Sequence, residues 1–180
     1  MTLSITHRGE VAEAALPVEA LAAQLRLADG WDAVPGQRAR LALRLRASAA
    51  AVGAQADRAV LRQPVVLEGR APGGNLLILP LAPVASVTAV AADGRAIPLT
   101  DARWRSDGGR THLALPRALL AGAEVRVEVE AGFADWAAVP AALADAVLTD
   151  AEAREVDVDL AGAIAQLVAP FRTRRLGGGA

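Results

Sequence analysis

A chain of 180 residues is long enough for a domain with a hydrophobic core, and its net charge of −1 gives no general attraction to nucleic acid or anionic membranes. It contains no cysteine, which excludes disulfides, thiolate metal sites and thiol nucleophiles. Hydrophobic residues make up 53% of the chain but aromatic residues only 3%, which favours close alanine-rich packing over a deep ligand cavity. No segment approaches the ~20 apolar residues of a membrane span, so we expect a soluble protein made in the cytoplasm.

The first third of the chain predicts an extended lead-in followed by two helices. In residues 1–16 the apolar residues have no regular spacing. Pro17 begins a segment that places Val18, Leu21 and Leu25 on one helical face. After a turn-rich connection, residues 37–61 are predicted to form one long helix. Its apolar stripe consists of Leu41, Leu45, Ala49, Val52, Ala56 and Ala59.

A line of arginines is predicted on the long helix, away from that stripe: Arg40, Arg44, Arg58 and Arg62. It has three interpretations: a solvated face, a contact with acidic residues of a neighbouring subunit, or a surface that follows phosphates. All 19 basic residues of the chain are arginine, which fits either coding bias in a GC-rich genome or selection for bidentate pairing.

From residue 63 onward, apolar residues tend to recur at every second position, which predicts a small antiparallel sheet inserted between helices. The predicted strands cover residues 64–69, 76–79, 84–91, around 104, 111–115 and 124–130. In the last of these, Val125, Val127 and Val129 share a face that we expect to be buried. Gly132 ends that strand, and Pro140 suits the first turn of a following helix.

The C-terminal part predicts two helices and a tail. Leu143 and Val147 line the first helix, and Asp159 is placed to cap the second. Acidic residues between 150 and 159 lack a calcium-loop pattern, so we expect them to cap helices and form ion pairs. The end of the chain is basic and then glycine-rich, and is predicted to be disordered without a partner.

The predicted fold class is therefore α+β: a small helical bundle with an inserted antiparallel β-sheet or hairpin region and a flexible C-terminal tail. The predicted divisions are the lead-in 1–16, N-terminal core helices 17–62, the β region 63–131, C-terminal core helices 132–169 and the tail 170–180.

No catalytic, cofactor-binding or metal site is predicted. His7 and His112 lack any metal-ligand spacing, the serines lack a hydrolase setting, and the glycine-rich pieces lack the Lys-Ser/Thr of a phosphate loop. Function must then lie in surfaces, and we expect the chain not to be an enzyme.

The order of the signals resembles the head–tail connector, or adaptor, proteins of tailed phages and of phage-derived gene transfer agents. The most specific pieces are Ala131-Gly132-Phe133 followed by Val139-Pro140, and the terminal Ala169-Pro170-Phe171-Arg172. The other matching residues are Pro17, Val18, Leu21, Ala49, Ala50, Arg58, Leu61, Gln63, Leu79, Pro80, Val84, Val87, Val90, Leu143, Ala146 and Leu167.

This resemblance implies a homo-oligomeric ring, usually a dodecamer, beneath the portal protein at the head–tail junction of a phage or gene transfer agent particle. A tail-side stopper or tail terminator protein would be a further partner, and DNA would pass through the channel without sequence reading. We expect the subunit interface to use Arg40, Arg44, Arg58 and Arg62 against Asp150, Glu152 and Glu155. We expect portal docking to use Phe171, Arg172, Arg174, Arg175 and Leu176.

Two alternatives remain open at this point. One is a DNA-binding accessory protein without sequence specificity that uses the arginine line and the basic tail. The other is an enzyme with a small β-rich site, for which the sequence indicates neither a nucleophile nor a base.

Overall fold

Residues 3–172 are described by the computed structural model, and within them the chain forms four α-helices and eight β-strands. The helices are α1 (Val18–Gln24), α2 (Gln37–Ala56), α3 (Ala141–Val156) and α4 (Ala161–Val168). The strands are β1 (Ser4–Arg8), β2 (Gln63–Arg70), β3 (Gly74–Leu79), β4 (Val84–Ala92), β5 (Arg95–Ala96), β6 (Arg103–Asp107), β7 (Arg110–Leu119) and β8 (Glu124–Ala131). Single 3-10 turns occupy Glu13–Ala15, Trp31–Ala33, Trp136–Ala138 and Ala169–Phe171. The predicted α+β class is confirmed.

The β part consists of two antiparallel sheets, with strand orders β1-β2-β8-β4-β5 and β3-β7-β6. Strand β8 lies at the centre of the larger sheet, where Val125, Val127 and Val129 are buried as the alternation predicts. Those valines share one hydrophobic core with Leu77 and Leu113 of the smaller sheet. The strands thus bury their apolar faces against each other.

The predicted antiparallel β region is confirmed, but it forms two sheets where one small sheet was predicted. Alternation shows which face of a strand is buried, but it does not show what covers that face. Here the cover is a second sheet made from the same segment of the chain.

Part of the extended lead-in is a β-strand, which the sequence did not predict. Strand β1 pairs antiparallel with β2 at the edge of the larger sheet, and Leu3 is buried in the core of the β part. The N-terminal segment therefore contributes an edge strand to the larger sheet.

The helices form a second hydrophobic core, in which α2 contacts α1, α3 and α4. Leu41, Leu45 and Val52 on α2 are fully buried there, as is Leu143 on α3. The predicted apolar stripe is confirmed from Leu41 to Ala56, whereas Ala59 lies beyond α2 and is buried in the core of the β part. The predicted buried sides of the C-terminal helices are confirmed. Pro140 precedes the first residue of α3, and Asp159 Oδ1 accepts a 2.9 Å hydrogen bond from the Ala161 N–H at the start of α4.

Helix α2 ends at Ala56, earlier than the predicted end near residue 61. Asp57 takes a left-handed conformation with φ 53°, and the Arg58 N–H donates to the Gly53 carbonyl at 2.9 Å. A Cβ at position 53 would lie 2.6 Å from the Arg58 carbonyl oxygen, so glycine is needed for this tight ending. Arg58 and Arg62 consequently lie beyond the helix.

Two chain segments join the helical part to the β part side by side. The Arg62 N–H donates to the Phe133 carbonyl at 3.1 Å, and the Phe133 N–H donates to the Val60 carbonyl at 3.4 Å. The segment that follows β8 passes against the backbone of Leu61 at Gly132, where φ is 114° and a side chain would not fit. This joint fixes where the helices stand relative to the sheets.

Among residues 3–172, no helix has the length and the apolar character that a membrane crossing requires.

Candidate functional site

The two histidines of the chain lie apart, on different sheets. His7 is exposed on β1 of the larger sheet, whereas His112 is exposed on β7 of the smaller one. Within residues 3–172, no group of three or more histidine or acidic side chains is placed to hold a metal ion. The candidate sites are therefore the predicted contact residues and the apolar surfaces that one copy of the chain leaves uncovered.

The first two residues of the predicted arginine line pair within the same chain. Arg40 Nη2 lies 2.7 Å from Glu155 Oε1, and Arg44 Nε lies 3.5 Å from Glu155 Oε2. Glu155 is largely covered, with 13% of its side chain exposed, while the arginines remain about half exposed. This contact ties the first half of α2 to the last turn of α3.

Arg58 meets a different partner, the aromatic ring of Phe171. Its guanidinium carbon lies 5.5 Å from the ring centroid, which is the geometry of a cation–π contact. Burial lowers the pKa of the Arg58 guanidinium from its ordinary value. Arg172 Nη2 in turn donates to Gln55 Oε1 at 3.5 Å, so residues 171 and 172 lie against the end of α2.

The predicted acidic interface residues also have partners in their own chain. Asp150 Oδ2 accepts from Arg154 Nε at 2.6 Å, one helical turn away, and Glu152 accepts from Gln24 of α1. Arg62 is exposed beyond α2. The structure thus brings Arg40 and Arg44 to Glu155, but places Arg58, Arg62, Asp150 and Glu152 apart from that contact.

The use of these residues between subunits stays a prediction, and so does portal docking by Phe171 and Arg172. Arg174, Arg175 and Leu176 lie outside the described residues. The sequence could not indicate the pairing with Glu155, because α2 and α3 are far apart in the chain and their relative rotation is set by packing.

The Glu155 pairing gives a testable expectation for an isolated subunit. Replacing Glu155 with Gln should lower the free energy of unfolding by about 0.5–1 kcal/mol and no more, because both arginines are about half exposed and solvent screens the pair. Urea denaturation of Glu155→Gln measures this, with Glu124→Gln as the matched control because its 3.9 Å pair with Arg70 is exposed on both sides. Unchanged unfolding in both variants would contradict a role within the subunit and leave Glu155 to a contact between subunits.

An uncharged surface runs along the exposed side of α2. Its exposed residues are Leu43, Ala47, Ala50 and Ala54, at spacings of four, three and four. Leu43 is 63% exposed, which is unusual for a leucine in the middle of a helix that also carries several arginines. The spacing and the small side chains suit close approach by another helix.

No protein-family model matches the chain, and no curated protein matches it significantly. Solved structures do match over nearly its whole length. A chain from the neck of an empty gene transfer agent particle, computed with C6 symmetry, is 30% identical with a TM-score of 0.77, and 99% of each chain is covered. A chain from the virion of a native gene transfer agent particle is 28% identical with a TM-score of 0.75, again over 99% of each chain. A chain from the neck of a native particle, computed with C12 symmetry, is 27% identical with a TM-score of 0.71 over the same share.

The α+β fold and the match to neck components over 99% of the chain define a structural protein of the head–tail connector type. The chain belongs to the family represented by these neck chains of the gene transfer agent particle. The resemblance to head–tail connectors inferred from the residues is confirmed.

Proposed function

We propose that this protein is a connector subunit that forms a ring beneath the portal of a gene transfer agent or phage particle and joins the DNA-filled head to the tail. The observation that carries the proposal is the match over 99% of both chains to components of necks with C6 and C12 symmetry. A ring of twelve copies suits both symmetries, because twelve-fold symmetry contains six-fold symmetry.

The uncharged surface of α2 supports an assembled state. A helix face with Leu43 63% exposed is poorly suited to water and gains stability when another helix covers it. The alanines at 47, 50 and 54 permit a short distance between helix axes.

The portal and a tail-side stopper or tail terminator protein are the proposed partners at the two ends of the ring. Phe171 and Arg172, with Arg174, Arg175 and Leu176 beyond them, are the proposed portal-docking residues. The contacts of Phe171 with Arg58 and of Arg172 with Gln55 place the start of this segment at the end of α2, from which it can be presented to a partner.

The ring would line the DNA channel without reading sequence. A lining that binds phosphates weakly lets DNA slide, and a net charge of −1 fits that requirement. Glu155 partly neutralises Arg40 and Arg44, and Arg58 and Arg62 lie beyond the helix that carries the first two. The four arginines therefore do not form the continuous line that the alternative of a DNA-binding accessory protein requires. The proposed role requires no catalytic chemistry.

The test is to mix the purified chain with the portal protein of its own particle and to follow the mixture by analytical ultracentrifugation and negative-stain electron microscopy. We expect the chain to self-associate and to bind the portal at one end. A variant that ends at Arg172 should still self-associate but should bind the portal more weakly, which separates the two contacts. A wild-type chain that stays monomeric and ignores the portal would contradict the proposal.

A further inference from the structure

The smaller sheet has one face that no other segment of residues 3–172 covers. Register places Leu76 of β3, Ala114 of β7 and Arg103 of β6 in one row. The next row contains Ile78, His112 and Arg105. Residues directly opposite each other in antiparallel pairs point to the same side, so these six side chains share a surface, the outer sheet face.

The outer sheet face combines apolar area with positive charge. Leu76 is 46% exposed and Ile78 is 42% exposed, and both stand beside exposed arginines. Within residues 3–172, Arg103 and Arg105 form no ion pair, in contrast to Arg126 of the larger sheet, which pairs with Glu68 and Glu128. An apolar surface flanked by unpaired arginines is suited to an apolar partner with carboxylates around it.

A second surface, which combines apolar area with negative charge, lies between α3 and α4. An open cleft of about 240 Å³ lies there. It is lined by Val158, Leu160 and Ile164, by Asp157 and Asp159, and by the ion pair of Asp150 with Arg154. Val158 lines this cleft and is 51% exposed, and Val156 at the end of α3 is 52% exposed, so apolar area is exposed at and beside the acidic cleft. Neither Asp157 nor Asp159 has an arginine partner in the described part of the chain, where Arg154 is already paired with Asp150.

These two surfaces belong to different hydrophobic cores and both remain exposed in one copy. The outer sheet face stands on the core of the β part, whereas the cleft is formed by helices of the other core. Since neither surface covers the other within a subunit, both are free to meet their complement on another copy.

We propose that the outer sheet face of one subunit docks onto the α3–α4 cleft of the next. Leu76 and Ile78 then cover Val156 and Val158, while Arg103 and Arg105 approach Asp157 and Asp159. The two patches differ, so the contact is head to tail, and repetition around an axis gives the closed ring on which this inference rests. Complementary charge fixes the orientation of each copy, and the apolar residues supply burial.

The absence of cysteine from the chain permits a direct test by disulfide crosslinking. The double variant Ile78→Cys with Val158→Cys places one thiol on each proposed surface. Oxidation of the assembled ring, followed by a non-reducing gel, should give a ladder of covalent multimers. The matched control is Leu120→Cys with Val158→Cys, because Leu120 is 80% exposed but lies in the β7–β8 connection, off the outer sheet face.

A second variant tests the charges without disturbing the fold. Asp157→Asn with Asp159→Asn removes both charges, while asparagine tolerates the left-handed conformation of residue 157 and still caps the start of α4. We expect the concentration needed for half-assembly to rise about tenfold at low salt. High salt should weaken wild-type assembly toward that level but have little effect on the variant. Circular dichroism provides the check that both fold alike.

The outcomes separate this inference from the proposed function. A ladder well above the control, together with salt-sensitive assembly, supports the docking of sheet face on cleft. Rings that form normally but crosslink no better than the control, or that ignore the loss of both aspartates, overturn the inference and leave the ring intact. A wild-type chain that forms no ring overturns the proposed function, and this inference with it.

Discussion

Replacing Gly132 with Ala is expected to lower the free energy of unfolding by about 3 kcal/mol. Gly132 has a φ of 114°, which an L-residue rarely adopts, and a Cβ at this position would overlap the backbone carbonyl of Leu61. Neither obstacle can be relieved by rotating a side chain, because both involve backbone. The two chain segments that connect the helices to the sheets are hydrogen-bonded to each other between Arg62 and Phe133. A backbone shift at Gly132 would therefore move the helical part relative to the sheets.

Gly162→Ala is the matched control for this change. Gly162 lies in α4, and a Cβ there would have no heavy atom within 4 Å, so alanine should stabilise the helix by about 0.5–1 kcal/mol. Denaturant unfolding followed by circular dichroism measures both variants. Equal stability of Gly132→Ala and the wild type would show that the joint is not the rigid contact described above.

Replacing Leu45 with Ala is expected to lower the free energy of unfolding by about 3 kcal/mol. Leu45 is fully buried in the helical core, where it packs with Leu41, Val52 and Leu143. The loss combines the transfer free energy of the removed atoms with the cost of the cavity that the surrounding helices do not fully close.

Leu43→Ala makes the same chemical change two residues away on the exposed side of α2. Because Leu43 is 63% exposed, the free energy of unfolding should change by less than about 0.5 kcal/mol. Thermal or urea unfolding of the pair compares them directly. A large loss of stability in Leu43→Ala, or none in Leu45→Ala, would mean that the two faces of α2 have been assigned the wrong way round.

Local patterns in the sequence were sufficient to predict most of the elements. The alternation of Val125, Val127 and Val129 gave the buried face of β8, and the spacing of Leu41, Leu45 and Val52 gave the buried face of α2. The spacing of apolar residues is a local property of the sequence, so the buried face of an element can be predicted without knowing which element covers it.

The errors arose where features other than the spacing of apolar residues decide the structure. The end of α2 depends on the left-handed Asp57 and on the close approach of Gly53 to Arg58, neither of which changes the helical period. The same early end separates Arg58 from Arg40 and Arg44, which is why the predicted arginine line is divided. The second sheet and the strand at Ser4–Arg8 were missed because strand partners are chosen by burial across the whole fold.

The surfaces were harder to predict than the elements. The outer sheet face had a signal in the sequence, since Leu76 and Ile78 alternate with the buried Leu77 and Leu79 and make that strand apolar on both faces. A strand of this kind is either covered on both sides within the fold or covered on one side by another molecule. Only the exposure of Leu76 and Ile78 in the structure distinguishes the two cases.

The most direct measurement of the central claim is a cryo-electron microscopy reconstruction of this chain bound to its portal. The account predicts a closed ring of twelve copies at one end of the portal, coaxial with it, with an open channel through the centre. Isolated copies scattered over the portal, or a portal with no added density, would contradict it.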